Sequence, residues 1–203
     1  AMQDLYKRVS SVSLVIGLGS FLLLWLNIDF LFSFLKSEFQ EGIWVFFFLM
    51  MGRLLDMYFG LNGIIFTTSK KYKYDLIFTL ILILMVFLLN WYLIPIYGII
   101  GAAISTGLAV VFYNISRMFF VLIAYKLNPF NFKQIPIILL GILVVIFGNA
   151  SSNFIEHSLI QCVFQFALVF LFFFLPIYVF NLEPESKSYL HNGWRYIKSK
   201  FKG

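Results

Sequence analysis

The sequence predicts an all-α fold: a polytopic membrane protein built as a six-transmembrane-helix bundle with both ends on the cytoplasmic side. Three observations predict it. Hydrophobic residues make up 62% of the 203 and charged residues 12%, with a mean hydropathy of +0.93. A soluble domain carries roughly twice that charge, and so few charges cannot cover this much apolar surface in water. Six apolar stretches approach or exceed the length of about 20 residues that spans hydrocarbon as helix. Lys and Arg, finally, gather in alternate connecting segments.

The first stretch runs from about Val9 to Ile28 and the second from Gly42 to Thr67. Ser37 and Gln40 have capping-box spacing ahead of the second, and Glu38 and Glu41 suit the positive end of a helix. The third covers Leu76 to Ile94. Pro95 and Gly98 mark a tight turn, and the fourth continues from Ile96 to about Tyr125, where Asn128-Pro129 ends it. The fifth, Ile135 to about Asn149, is the weakest, being short and interrupted by Gly141 and Gly148. The sixth covers Leu159 to Val179, and Pro176 is expected to bend it near its end. No repeat or low-complexity linker divides the chain, so residues 1–181 read as one membrane domain and 182–203 as a basic tail.

Orientation follows from the positive-inside rule. With the N-terminus cytoplasmic, the cytoplasmic segments hold Lys7, Arg8, Lys70, Lys71, Lys73, Lys126, Lys133, Lys187, Arg195, Lys198, Lys200 and Lys202, and the outer side holds only Lys36. The outer loops carry Asp29, Glu38, Glu41 and Glu156 instead. The net charge of +6 is therefore mostly topology, and nucleic acid is a poor partner for it. In the tail, Leu190, Trp194, Ile197 and Phe201 recur at helical spacing, with Arg195, Lys198, Lys200 and Lys202 off that stripe. Two readings stand: a helix lying on the anionic cytoplasmic leaflet, or a disordered basic tail.

Ionisable groups at membrane depth are costly and mark pathways or internal pairs. Arg53 lies roughly 16 Å into the second stretch by the helical rise. Asp56, three residues on, shares its face. Gly60, Gly63 and Thr67 fall near that face, and Phe47, Leu54, Leu55, Tyr58 and Ile65 fall opposite, on what reads as the lipid side. Arg53 and Asp56 are either a self-neutralising pair in a helix contact or the charged wall of a water-filled cavity. Arg117 lies roughly 12 Å from the cytoplasmic end of the fourth stretch, with Tyr113, Asn114, Val110 and Thr106 on its side. A second face, Gly98, Gly101, Ala102, Ser105 and Ala109, suits close helix packing. Arg117 either snorkels to the headgroups or offers an interior cationic site suited to phosphate.

Nothing suggests catalysis. No Ser/His/Asp or Cys/His set can be assembled, His157 and His191 flank different segments, and Cys162 is the lone cysteine. There is no metal-ligand spacing, no phosphate-binding Gly-rich loop and no signal peptide. The reading is of a non-enzyme without a bound cofactor.

The stretch from Gly60 through Asn62, Gly63, Ser69, Lys70 and Lys71 to Tyr72, an apolar helix, and then Asn90 through Ile94-Pro95-Ile96-Tyr97-Gly98-Ile99-Ile100-Gly101-Ala102-Ala103 to Thr106 resemble a known family. They resemble the C-terminal half of polysaccharide-biosynthesis flippases, the O-antigen and lipid-linked-oligosaccharide exporters of the multidrug/oligosaccharidyl-lipid/polysaccharide exporter superfamily. The resemblance covers about residues 5–130; the last two helices fit in number and placement. It implies one lobe of a two-lobed transporter that moves an undecaprenyl-pyrophosphate-linked glycan across the bacterial inner membrane by alternating access. Cationic residues of a central cavity would hold the pyrophosphate. The matching candidates are Arg53 and Arg117, with Asp56 and Asn114 beside them; Asp56 would serve any coupling ion, H⁺ or Na⁺. Six helices make one lobe, so the implied partners are an N-terminal lobe, a lipid-linked oligosaccharide, and anionic lipid at the tail. The alternatives are a drug or peptidoglycan-precursor exporter of the same superfamily, and a membrane scaffold in a glycan-assembly complex.

Overall fold

The computed structural model of the chain describes residues 2–35, 42–152 and 158–179. The expectations placed on Lys36, Glu38, Glu41, Glu156 and the tail lie outside them. Among the described residues there is helix and no strand. Of the described helices, four are long and apolar enough to cross a membrane, or five when one bent pair is taken as a single span.

Helix α1 (Met2–Leu26) sits at the centre, and a short α2 (Ile28–Ser33) follows it. Helices α3 (Gly42–Tyr58) and α4 (Leu61–Thr67) replace the single second helix of the sequence reading, meeting at a bend of 53°. At the bend the ladder shortens. The amides of Gly60, Asn62 and Gly63 donate to the carbonyls of Met57, Phe59 and Gly60, three residues back rather than four. The side chain of Asn62 is spent elsewhere, accepting from the Tyr6 hydroxyl of α1.

Helix α5 runs from Tyr72 to Tyr125 with non-helical angles only at Gly98 (φ 58°, ψ −134°). It is folded back there. A straight helix would hold Asp75 and Arg117 about 60 Å apart, yet their side chains meet at 2.8 Å. The two arms, residues 72–97 and 99–125, are therefore antiparallel. Gly98 makes the reversal because an L side chain rarely adopts its φ. Gly101 makes it tight: a Cβ there would lie 2.2 Å from the Leu93 carbonyl oxygen. Lys126, left-handed at φ 56°, ends the second arm.

Helix α6 (Gln134–Ser152) packs on α1 through the two glycines that weakened it as a sequence signal. Leu18 and Leu26 of α1 fill the space that side chains at Gly141 and Gly148 would need. Helix α7 (Ser158–Val169) runs into a π-helical turn, Phe170–Phe174, and then α8 (Leu175–Val179). Pro176 accounts for the turn: it has no N–H to donate, and its ring would crowd the carbonyl four residues back. Widening the preceding turn relieves both.

The helices stand in a row. Helices α6 and α7 flank α1 on one side, and α3 on the other. The second arm of α5 packs on α3 through Gly107, close to the Phe48 carbonyl, and Gly52. Gly101, Ser105 and Ala109 of the expected packing face are buried, while Gly98 is exposed at the turn. One apolar core joins α1, α3, α6 and the π turn around Leu22, Val144, Val169 and Phe173, and a second joins Tyr6, Ile65, Phe66, Val121 and Leu127. The first arm is last in the row, and no residue from 72 to 100 is buried.

The ends of the bundle differ in charge. Gln3 and Asn128 exchange two hydrogen bonds, of 2.8 and 2.9 Å, tying the start of α1 to the segment after α5. Lys71 lies over the rings of Phe120 and Tyr125. Lys7, Arg8, Lys70, Lys71, Lys73, Lys126 and Lys133 therefore share one end. Among the described residues the other end carries Asp29 and no Lys or Arg.

Candidate functional site

Four residues stand out in the sequence, and the fold brings them into one polar row. Arg53 and Asp56, three apart on α3, approach to 3.5 Å. Asp56 accepts a 3.3 Å hydrogen bond from Asn114 Nδ2 on the second arm of α5. Asn114 also donates to the Val110 carbonyl one turn back. Arg117, three residues on from Asn114, continues the row on the same face. Its partner is Asp75 of the first arm. The row crosses the bundle from the outer face of α3 to the last helix.

The two arginines differ in kind. The Arg53 side chain is 82% exposed and Asp56 is 43% exposed. Arg117 is buried at 9%, between the rings of Phe66 (5.1 Å) and Tyr113 (4.8 Å). Such walls fix the plane of a guanidinium and favour its charge. Arg117 thus turns inward and does not snorkel. Its contact with Asp75 Oδ1 is close but poorly aligned: at 2.8 Å it is an ion pair, yet among the described residues Oδ1 has no hydrogen bond of good angle and Arg117 Nε has no partner. A guanidinium has five N–H donors, so this one holds donors in reserve.

The face assignment of α3 is corrected. Leu55 and Tyr58, expected on the lipid side, pack into the core with α1, and Ile65 is buried in the second core. Phe47 lies against Trp25 at 4.7 Å. The charged face, Arg53 with Gly60, is exposed, as are Trp44 and Met51 on the opposite side of the helix. The reason is the neighbour: α1 lays Gly17, Phe21 and Trp25 against Leu54 and Phe47 of α3, which covers that apolar side and leaves Arg53 on the outer surface.

Asp75 also changes the charge balance of the row. Arg53, Asp56 and Arg117 alone give a net positive site. With Asp75 the row holds two cations and two anions. Sequence reasoning missed Asp75 because no acidic residue lies within a turn of Arg117. The hairpin register would have found it: folding two helical arms back at Gly98 sets positions about twenty residues before the turn beside positions about twenty after it.

A second network, also missed, ties α1 to its neighbours. Gln134 Oε1 accepts from the Tyr58 hydroxyl at 2.8 Å and the Asn131 amide at 3.1 Å. Gln134 Nε2 donates to Ser11 Oγ and the Pro129 carbonyl, both at 3.0 Å. Fully satisfied buried networks of this kind specify packing. Among the described residues no cluster of His, Cys, Asp and Glu is suited to a metal.

Comparison of the chain with protein-family models, with curated proteins and with solved structures finds no match to any of them.

Proposed function

We propose that the chain is one six-span lobe of a flippase that moves undecaprenyl-pyrophosphate-linked polysaccharide units across the bacterial inner membrane, with N- and C-termini cytoplasmic. The observation that carries it is the outward Arg53. It stands on an otherwise apolar helix with its side chain 82% exposed and Asp56 beside it. Lipid is a poor solvent for that pair. The face needs water or another protein body, and the wall of a cavity between two lobes supplies both. The six spans rest on counting the two arms of α5 separately and α3 with α4 as one bent span. The seven cations at one end support the orientation, since cytoplasmic ends carry the excess of Lys and Arg.

In this reading Arg53 receives the pyrophosphate, Asp56 and Asn114 hold Arg53's surroundings, and Arg117 lies deeper in the row. The test is export in cells that depend on the full two-lobed protein for their surface glycan. Arg53→Ala abolishes export at normal expression, and Arg53→Lys retains part of it. Normal export by Arg53→Ala sinks the assignment. The second reading, a drug exporter of the same superfamily, is favoured by Asp75, which removes the net positive charge of the row. Cation efflux that depends on Asp56, without glycan export, would select it. A scaffold role predicts neither activity from proteoliposomes holding both lobes.

A further inference from the structure

The first arm of α5 is held to the bundle unlike any other helix. No residue from 72 to 100 is buried, while the second arm buries Gly101, Ala103, Ser105, Gly107, Ala109, Asn114, Arg117, Met118 and Val121. At its far end the first arm hangs on Gly98, whose backbone already lies outside the helical region. At its near end Tyr74 and Phe78 touch the ring of Phe120, and Phe78 touches Phe66. Its one ion pair among the described residues is Asp75 to Arg117. A limb on a hinge, with one ionic fastening, can be released at that fastening.

The fastening has the chemistry of an exchange site. Arg117 is nine-tenths buried with Nε unpartnered, and the Asp75 side chain in front of it is 23% exposed. A carboxylate carries one negative charge and here makes one close contact. A phosphate or diphosphate group carries more charge and can bridge Nε and a terminal nitrogen at once, the fork geometry that guanidinium prefers.

We propose that Asp75 is an internal stand-in for an anionic phosphate group at Arg117, and that arrival of such a group displaces the carboxylate and frees the first arm to swing about Gly98. This rests on the flippase reading only for the source of the phosphate; the exchange itself belongs to this chain. It gives the row a switch: ligand charge is converted into movement of one helix. A ligand can shift an equilibrium only by its differential affinity for the two states. Here the difference is direct, because the closed state offers a neutralised Arg117 and the open state a free one.

The test is the distance between spin labels at Ile77→Cys on the first arm and Ile123→Cys on the second, both exposed positions, in a Cys162→Ala background of the full chain in lipid nanodiscs. Adding farnesyl pyrophosphate or inorganic pyrophosphate lengthens the distance by about one helical turn, ~5 Å, or more, and broadens its distribution. A response to farnesyl pyrophosphate alone identifies a lipid-linked phosphate; a response to both identifies the free group as sufficient. Asp75→Asn is long and broad without any anion, Asp75→Glu is short and responsive, and Arg117→Gln does not respond. A wild-type distance unchanged by either anion overturns the proposal, whatever the variants do. A responsive protein that exports no glycan leaves the exchange standing and sinks the flippase reading instead.

Discussion

Removing each arginine separately asks which is structural. In Arg117→Ala, Asp75 keeps its charge beside the second arm and loses its counterion at 2.8 Å. Arg117 is 9% exposed and Asp75 23%, so water compensates little. Breaking one side of a buried pair costs about 3–5 kcal/mol, and the loss of the guanidinium from between Phe66 and Tyr113 adds to it. At about 1.4 kcal/mol per tenfold, this lowers the folded-to-unfolded ratio by roughly a hundred- to a few thousand-fold. Arg53→Ala removes an 82% exposed side chain whose pair spans 3.5 Å, and exposed pairs contribute about 0–1 kcal/mol. The double variant Asp75→Leu/Arg117→Leu leaves no orphaned charge and recovers most of the loss. The assay is reversible unfolding of the purified chain in mixed micelles, titrated with a denaturing detergent and read by circular dichroism. Equal losses from Arg53→Ala and Arg117→Ala would refute the distinction between an outward and an inward arginine. A double variant no better than Arg117→Ala would show that the pair is not what holds the arms.

The turn, the glutamine network and the topology each give a further expected outcome. Gly101→Ala places a Cβ 2.2 Å from the Leu93 carbonyl oxygen, so the hairpin must open; Gly98→Ala meets nothing within 4 Å and costs only the backbone penalty of about 1–3 kcal/mol. In the same unfolding assay Gly101→Ala is the more damaging, and the reverse order would contradict the tight turn. Gln134→Leu strands the buried Tyr58 hydroxyl and the Pro129 carbonyl at about 1–3 kcal/mol for each group left unpaired, and so destabilises more than Tyr58→Phe, which leaves Gln134 its other partners. Single cysteines at Lys70 and Lys126, in a Cys162→Ala background, react with an impermeant thiol reagent only after the cytoplasmic membrane is opened, and one at Asp29 reacts while it is intact. Labelling of both from one side would invert or break the proposed topology.

Much of the site was legible residue by residue, and its connections were not. Arg53 and Asp56 are three apart, so the helical period alone pairs them. Asn114 and Arg117 share a face for the same reason. Asp75 lies 42 positions before Arg117 in the chain (117 − 75), and only the fold-back at Gly98 makes them neighbours. The polar face of α3 was visible as a pattern, but its direction was not. A period tells which residues lie together and says nothing of which side meets a neighbour. Pro95 and Gly98 announced a turn, whereas the bend between Tyr58 and Leu61 had no proline to announce it and depends on Asn62 reaching Tyr6 across to α1.

The sequence by itself determined the solvent, the helical class and the polarity of the ends. These are sums over the chain, of apolar residues and of Lys and Arg along it, and they do not depend on contacts. Tertiary structure alone decided that Arg117 is buried against a carboxylate from a distant part of the chain while Arg53 stands outward. Charge in a low-dielectric interior depends on what stands within a few ångströms, and those neighbours come from helices the chain order keeps far apart. The row of two arginines and two aspartates is therefore a property of how the arms of α5 fold on α3, and the composition that places the chain in lipid is what makes the row worth locating.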